Sequence, residues 1–143
     1  MYITLEADYA VRIVSALAVE GGRLDAGTIS DRTCVTLRFA LKILRKLVSS
    51  GLVISYKGSR GGYQLGKDPS EINLRMVIEA IEGTYYFSRC LSPDCDCSRG
   101  AEEICCYRRA FGEITDSVRK QLDSYNFADL IASSEEFGNG KEK

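Results

Sequence analysis

Five of the six cysteines in this chain fall between Cys90 and Cys106, a stretch of seventeen residues that reads CLSPDCDCSRGAEEICC; the sixth, Cys34, lies far upstream. Thiolates crowded onto one short polar loop each offer a soft donor and a negative charge to the same region of space. That is what a transition metal or an iron–sulfur cluster requires. The spacing does not name the metal. No Cys-x-x-Cys pair is present, although structural zinc sites usually carry one, and the closely spaced run of a ferredoxin is absent too. A disulfide-stapled loop is the other use of such a cluster, and it belongs to secreted chains. The N-terminus, MYITLEAD, has no basic segment and no cleavage site, so nothing resembles an export signal. The expectation is therefore cytoplasmic localisation, with the cysteines serving as ligands or redox groups.

The chain contains no histidine. The commonest general base and the commonest metal ligand are thus missing. Together with the lack of a phosphate loop or a nucleophile elbow, this argues against an enzyme. No apolar run approaches the roughly 20 residues that cross a bilayer, so no membrane partner is expected.

The net charge of −1 hides a strong asymmetry. From Arg32 to Gly62 the cations are Arg32, Arg38, Lys42, Arg45, Lys46, Lys57 and Arg60, with no Asp or Glu among them. A purely basic block in a slightly acidic protein is the footprint of a phosphate-binding surface.

The elements that carry these residues follow from periodicity and caps. Thr4 precedes a helix from Leu5 to about Val19, with Tyr9, Ala10, Ile13, Val14 and Leu17 on its inner face. A short helix fits Ala26 to about Arg32, and Thr33-Cys34-Val35 forms a turn. Thr36 then caps a helix from Leu37 to Ser50 that Gly51 closes. Its expected apolar face is Leu37, Ala40, Leu41, Leu44, Leu47 and Val48, and its outer stripe is Arg38, Lys42, Arg45 and Ser49. Two helices, a turn and a basic helix make a helix-turn-helix. Leu52 to Tyr56 and Tyr63 to Leu65 read as strands about the turn KGSRGG, a hairpin placed as a wing. Thr36, Arg38, Lys42 and Arg45, with Lys57, Ser59 and Arg60 on the wing, are the expected contacts to double-stranded DNA.

Asn73 caps a helix from Leu74 to about Glu82, ended by Gly83, and the cysteine loop follows from Thr84 to Glu103. Ile104, Tyr107, Phe111, Ile114, Val118, Leu122 and Tyr125 then recur by threes and fours. A long helix with a narrow apolar seam needs a partner, and the expectation is a second copy of the chain meeting Phe111, Ile114, Val118 and Leu122. The resulting division is a mainly α winged helix-turn-helix domain with a small β-hairpin over residues 1–83, a cysteine-rich loop over 84–103, a dimerisation helix and short terminal helix over 104–132, and a disordered tail over 133–143.

Taken in order, Ile3-Thr-Leu-Glu-Ala-Asp-Tyr-Ala-Val-Arg-Ile13, Arg38-Phe-Ala-Leu-Lys-Ile-Leu-Arg-Lys-Leu47, Gly51-Leu-Val, Gly61-Gly-Tyr-Gln-Leu65, Glu71-Ile-Asn-Leu and Ile78-Glu-Ala-Ile-Glu-Gly83, with the cysteine loop after them, carry a further signal. Over about residues 1 to 131 the chain resembles the bacterial transcription regulators of the family containing the iron–sulfur regulator IscR and the nitric-oxide sensor NsrR. The resemblance implies a homodimer on a palindromic operator, acting as a repressor, with an iron–sulfur cluster of 2Fe–2S or 4Fe–4S type in the loop. It implies three cysteine ligands, matched best by Cys90, Cys97 and Cys105, with Cys95 and Cys106 as extra thiols. IscR-like members carry histidine where Arg108 stands, so a three-cysteine, one-histidine site is ruled out here. NsrR-like members place an acidic ligand at the position of Asp8, supplied across the dimer. Asp8 is accordingly the expected fourth ligand, ahead of Cys106, Cys95 or a loop carboxylate such as Asp94 or Asp96. The implied signals are nitric oxide, oxygen or redox state, and iron–sulfur supply. The competing expectation is a zinc- or thiol-redox-controlled regulator on the same DNA module.

Overall fold

The computed structural model describes residues 2–134 of the 143. Its elements run α1 (Leu5–Glu20), α2 (Ala26–Thr33), α3 (Leu37–Ser49), β1 (Val53–Tyr56), β2 (Gly62–Leu65), α4 (Leu74–Glu82), α5 (Cys106–Ser124) and α6 (Phe127–Ser133). Single 3-10 turns at Pro69–Glu71 and Arg89–Leu91 complete it. Side-chain caps set the helix starts: Thr4, Asp25, Thr36, Asn73 and Asn126 each accept a backbone N–H from the first turn that follows. These N–H groups have no partner within the helix, so a small polar side chain at that point decides where the helix begins.

The core lies between α1, α2, α3 and α4. Ala10, Ile13, Val14 and Leu17 of α1 meet Ile29, Val35, Ile43, Leu44, Leu47 and Val77, and Phe127 of α6 closes the cluster. Asn73 and Asn126 bridge their backbones, and Phe127 N donates to Ile72 O at 2.9 Å. The terminal helix is thereby fastened to the start of α4. The buried face of α3 is Ala40, Ile43, Leu44 and Leu47. It is rotated from the expected face: Ile43 joins the core, and Leu37 is 47% exposed. Periodicity permits either shoulder, and the packing of α1 selects one.

The hairpin pairs Val53 with Leu65 and Tyr56 with Gly62. On the other edge of β2, Leu24 adds an isolated antiparallel bridge, exchanging backbone hydrogen bonds with Tyr63 at 2.9 and 2.8 Å. Gly62, at φ +135°, allows this approach, because a Cβ there would stand 2.7 Å from Leu24 O.

The boundary between the loop and the long helix differs from expectation. The long helix begins at Cys106 and not at Ile104, because the Cys105 side chain caps it, accepting from Arg108 N. Ile104 belongs to the loop and is 86% exposed. Of the tail expected over 133–143, Ser133 ends α6 and Ser134 is its C-cap, and the remainder, 135–143, lies outside the described residues. No described helix is long and apolar enough to cross a membrane.

Candidate DNA-binding and cysteine-loop sites

The first site is the outer face of α3 with the hairpin. Arg38, Lys42 and Arg45 line one open groove with Leu37, Phe39 and Leu41. Thr36 serves as the N-cap, its hydroxyl accepting from Phe39 N. Among the described residues, no carboxylate lies within 4.0 Å of Arg38, Arg45, Lys57 or Arg60. The rest of the basic block is tied down. Lys42 and Lys46 both reach Glu6 Oε1, at 3.4 and 2.9 Å, and Arg32 meets Glu20 at 2.7 Å. The two lysines hold the Glu6 carboxyl below its usual range, with Lys46 contributing most.

Lys57, Ser59 and Arg60 are all exposed at the wing tip. Sequence reading missed one cation there. Arg23 lies outside the basic block, yet its guanidinium stands 3.5 Å from the centre of the Tyr56 ring and donates to Arg60 O at 3.1 Å. The Leu24–Tyr63 pairing carries it to the wing. The only signal in the sequence was its position beside Leu24, whose bridge to Tyr63 sequence reading did not foresee.

The second site is the cysteine loop. Cys105 Sγ accepts from Arg108 N at 3.5 Å and from Arg99 Nη2 at 3.4 Å. Its thiol is shifted down, first by the Arg108 N–H at the head of α5, as is usual for a cysteine at a helix N-terminus. The Cys97 thiol is also shifted down, mainly by the backbone N–H groups of Ala101 and Arg99 and further by the Arg99 side chain. Charge on Cys97 opposes ionisation of Cys105, so the two sulfurs share one neighbourhood with Arg99 beside both. Cys90 Sγ lies 3.3 Å from Ser88 Oγ. Its carbonyl accepts from Arg108 Nε at 3.1 Å, and Arg108 Nη1 donates to Glu102 O at 3.3 Å. Arg108, read from the sequence only as a residue unable to ligate, fastens the loop to α5 at Cys90 and at Glu102.

Cys95 Sγ faces the carbonyl of Asp96, and Cys106 is exposed. Asp8 stands apart on α1, paired with Arg12 at 2.8 Å. Among the described residues, no three Cys, Asp or Glu side chains lie close enough to hold one metal ion. The donor chemistry fits a soft metal group: free thiols, two of them stabilised as thiolates by N–H donors. The single chain nevertheless leaves the ligand set open.

The expected dimer seam on α5 is divided. Phe111 packs on Phe87 of its own chain, ring centres 5.4 Å apart. Thr115 is buried and bonds Phe87 N and Phe111 O. Val118 and Leu122 are half-buried, while Tyr107, Ile114 and Tyr125 are exposed.

A basic helix at the end of a helix-turn-helix, flanked by a hairpin wing, defines a winged-helix DNA-binding transcription regulator. The comparisons with known proteins agree. The profile of the Rrf2 family, described as iron-dependent transcriptional regulator, matches residues 3–133, and the chain belongs to that family. It is 30% identical over 133 residues to a protein of Haemophilus influenzae named "Putative HTH-type transcriptional regulator", covering 92% of this chain and 87% of that one. It is 28% identical over 137 residues to the HTH-type transcriptional regulator IscR of Aliivibrio salmonicida, covering 94% and 80%. Among solved structures it is similar to CymR, the global cysteine regulator of B. subtilis, with TM-score 0.72, 25% identity and coverage of 94% and 99%. It shares its fold with T. potens IscR, with TM-score 0.75, 22% identity and coverage of 95% and 90%. These relatives are regulators and not enzymes, and so is this chain.

Proposed function

We propose that the chain is a homodimeric repressor that binds a palindromic operator through α3 and the wing, with an affinity set by an iron–sulfur cluster in the 84–105 loop. Cys90, Cys97 and Cys105 would hold the cluster, with Asp8 of the partner subunit as the fourth ligand. The observation that carries this reading is the shared neighbourhood of Cys97 and Cys105 at the head of α5, with Cys90 fastened to the same helix by Arg108. Such a group, when bound, supplies iron open to nitric oxide or oxygen at its most weakly held ligand. The protein's part is mechanical. Arg99 must leave the two sulfurs for a metal to enter, and Arg108 keeps the loop registered against α5. Asp8 must leave Arg12, and that matters for DNA. Arg12 donates to Thr33 O at the helix-turn-helix turn and lies 5.3 Å from the centre of the Tyr9 ring, which packs edge-on against Phe39 of α3. A change at Asp8 therefore has a contiguous path to α3.

A second reading, a zinc- or thiol-redox-controlled regulator on the same DNA module, is supported by the structural likeness to CymR and by the free, partly exposed thiols. Anaerobic purification separates the two. A coloured protein with iron and sulfide, bleached by nitric oxide or oxygen with a change in operator binding, is the expected result. A colourless protein carrying zinc, or regulated by thiol oxidants with no metal, establishes the second reading in its place.

A further inference from the structure

The face of α3 opposite the core is not uniformly polar. Leu37 and Leu41 stand four residues apart on the shoulder beside Arg38 and Arg45, outside the buried set of Ala40, Ile43, Leu44 and Leu47. Leu37 is 47% exposed and Leu41 is half-buried. On the other shoulder, Phe39 is held edge-on by Tyr9. Aliphatic groups left in water beside unpaired guanidinium groups are unfavourable in the free protein and add nothing to phosphate attraction. They are matched by the one apolar group that the major groove displays, the C5 methyl of thymine.

We propose that Leu37 and Leu41 form an apolar ridge that reads thymine methyls beside the base taken by Arg38. This rests on the proposed reading of DNA by α3. The geometry suits it. Residues four apart on a helix are separated by about 6 Å along its axis, a span of about two base steps at 3.4 Å each. Leu37 and Arg38 open the helix, and the N-terminal turn of a recognition helix is the part that reaches base edges. Arg38 takes guanine O6 and N7 by its fork, and the flanking leucines then require thymine at adjoining steps. The half-site is accordingly a guanine with thymine one or two steps away in the same groove.

The test deletes only the methyl. The full chain, in cluster-loaded and metal-free forms, selects its operator from a random duplex pool. Each thymine of that operator is then replaced by deoxyuridine. Wild type is expected to lose about fourfold in affinity at one or two thymines per half-site, the factor for removing one methyl-sized apolar contact. Leu41→Ala or Leu37→Ala is expected to bind the thymine and uracil forms equally, with an unchanged salt slope. Both positions lie outside the core and alanine favours the helix, so the variants stay folded, which circular dichroism checks. Tolerance of uracil within about twofold at every position overturns the proposal, as does undiminished methyl sensitivity in both variants. If neither form of the protein enriches any sequence, the DNA reading beneath the proposal fails with it.

Discussion

The guanidinium of Arg108 on α5 donates to the carbonyl of Cys90 at 3.1 Å, and so reaches back across the whole cysteine loop. Its second contact, to Glu102 O at 3.3 Å, holds the far end of the same loop. Each such bond from a charged donor is worth about 1.5–3 kcal/mol when buried, and less where water competes as it does here. Arg108→Ala is expected to speed hydrogen exchange across residues 88–104 and alkylation of Cys90 by about tenfold, while α1 to α4 keep their protection. Arg108→Lys keeps the charge without the planar fork and should restore only part of the effect. Mass spectrometry of exchange and labelling reads both.

The Asp8–Arg12 pair joins two half-exposed side chains one helical turn apart. Such pairs contribute about 0.5 kcal/mol or less, so Asp8→Ala should leave the denaturation midpoint nearly unchanged. The ligand role requires more: altered spectra of the anaerobic protein and weakened or deregulated operator binding. Unchanged spectra and an unchanged nitric-oxide response would leave Asp8 as a surface residue and move the fourth ligand to Cys106 or Cys95.

Serine at Cys90, Cys97 or Cys105 is expected to abolish or severely weaken the chromophore, with serine at Cys95 or Cys106 tolerated. Iron and sulfide analysis of the five variants decides it. Full loading of Cys97→Ser alongside loss in Cys95→Ser would reverse the choice within that pair.

Arg38→Ala should cost about 1–3 kcal/mol of operator affinity and relax specificity, while Lys57→Ala should weaken all sequences alike and lower the salt slope by about one. Lys42 is shared with Glu6. Glu6→Gln is expected to release it and steepen the salt slope. The pH dependence has the same origin. The folded carboxyl of Glu6 titrates below its unfolded value, so its contribution is present above that unfolded value and is lost as pH falls through the folded one. Glu6→Gln should therefore be less stable than wild type above that unfolded value, with the difference vanishing as pH falls below the folded one, as denaturation midpoints measured across the acid range will show. An unchanged salt slope in Lys57→Ala would remove the wing from the interface.

Dimer formation is best tested away from Phe111, whose ring already packs on Phe87. Ile114 is 40% exposed in the single chain, so Ile114→Glu costs the protomer little but would place a charge in an apolar interface. Sedimentation as a monomer with an intact circular dichroism spectrum is the expected result. A variant that still sediments as a dimer would remove α5 from the interface.

Local signals carried the helix-turn-helix, the wing and the cysteine loop. Thr36, Asn73 and Gly51 mark ends by backbone chemistry that needs no distant partner, and the charge block around Arg38 is a property of composition. Contacts between segments distant along the chain were not legible. Which shoulder of α3 is buried depends on what α1 offers it, so Ile43 entered the core where Leu37 was expected. Arg23 joined the wing only because Leu24 pairs with Tyr63, a backbone contact that leaves no mark on side-chain pattern. Arg108 was visible as an absent ligand, but its clamp on Cys90 exists only once α5 and the loop are folded against each other. Residue type and spacing thus determined what chemistry this chain can do, because those are local. The tertiary structure decided which charges are free and which are spent on neighbours, because that depends on distances between residues far apart in sequence.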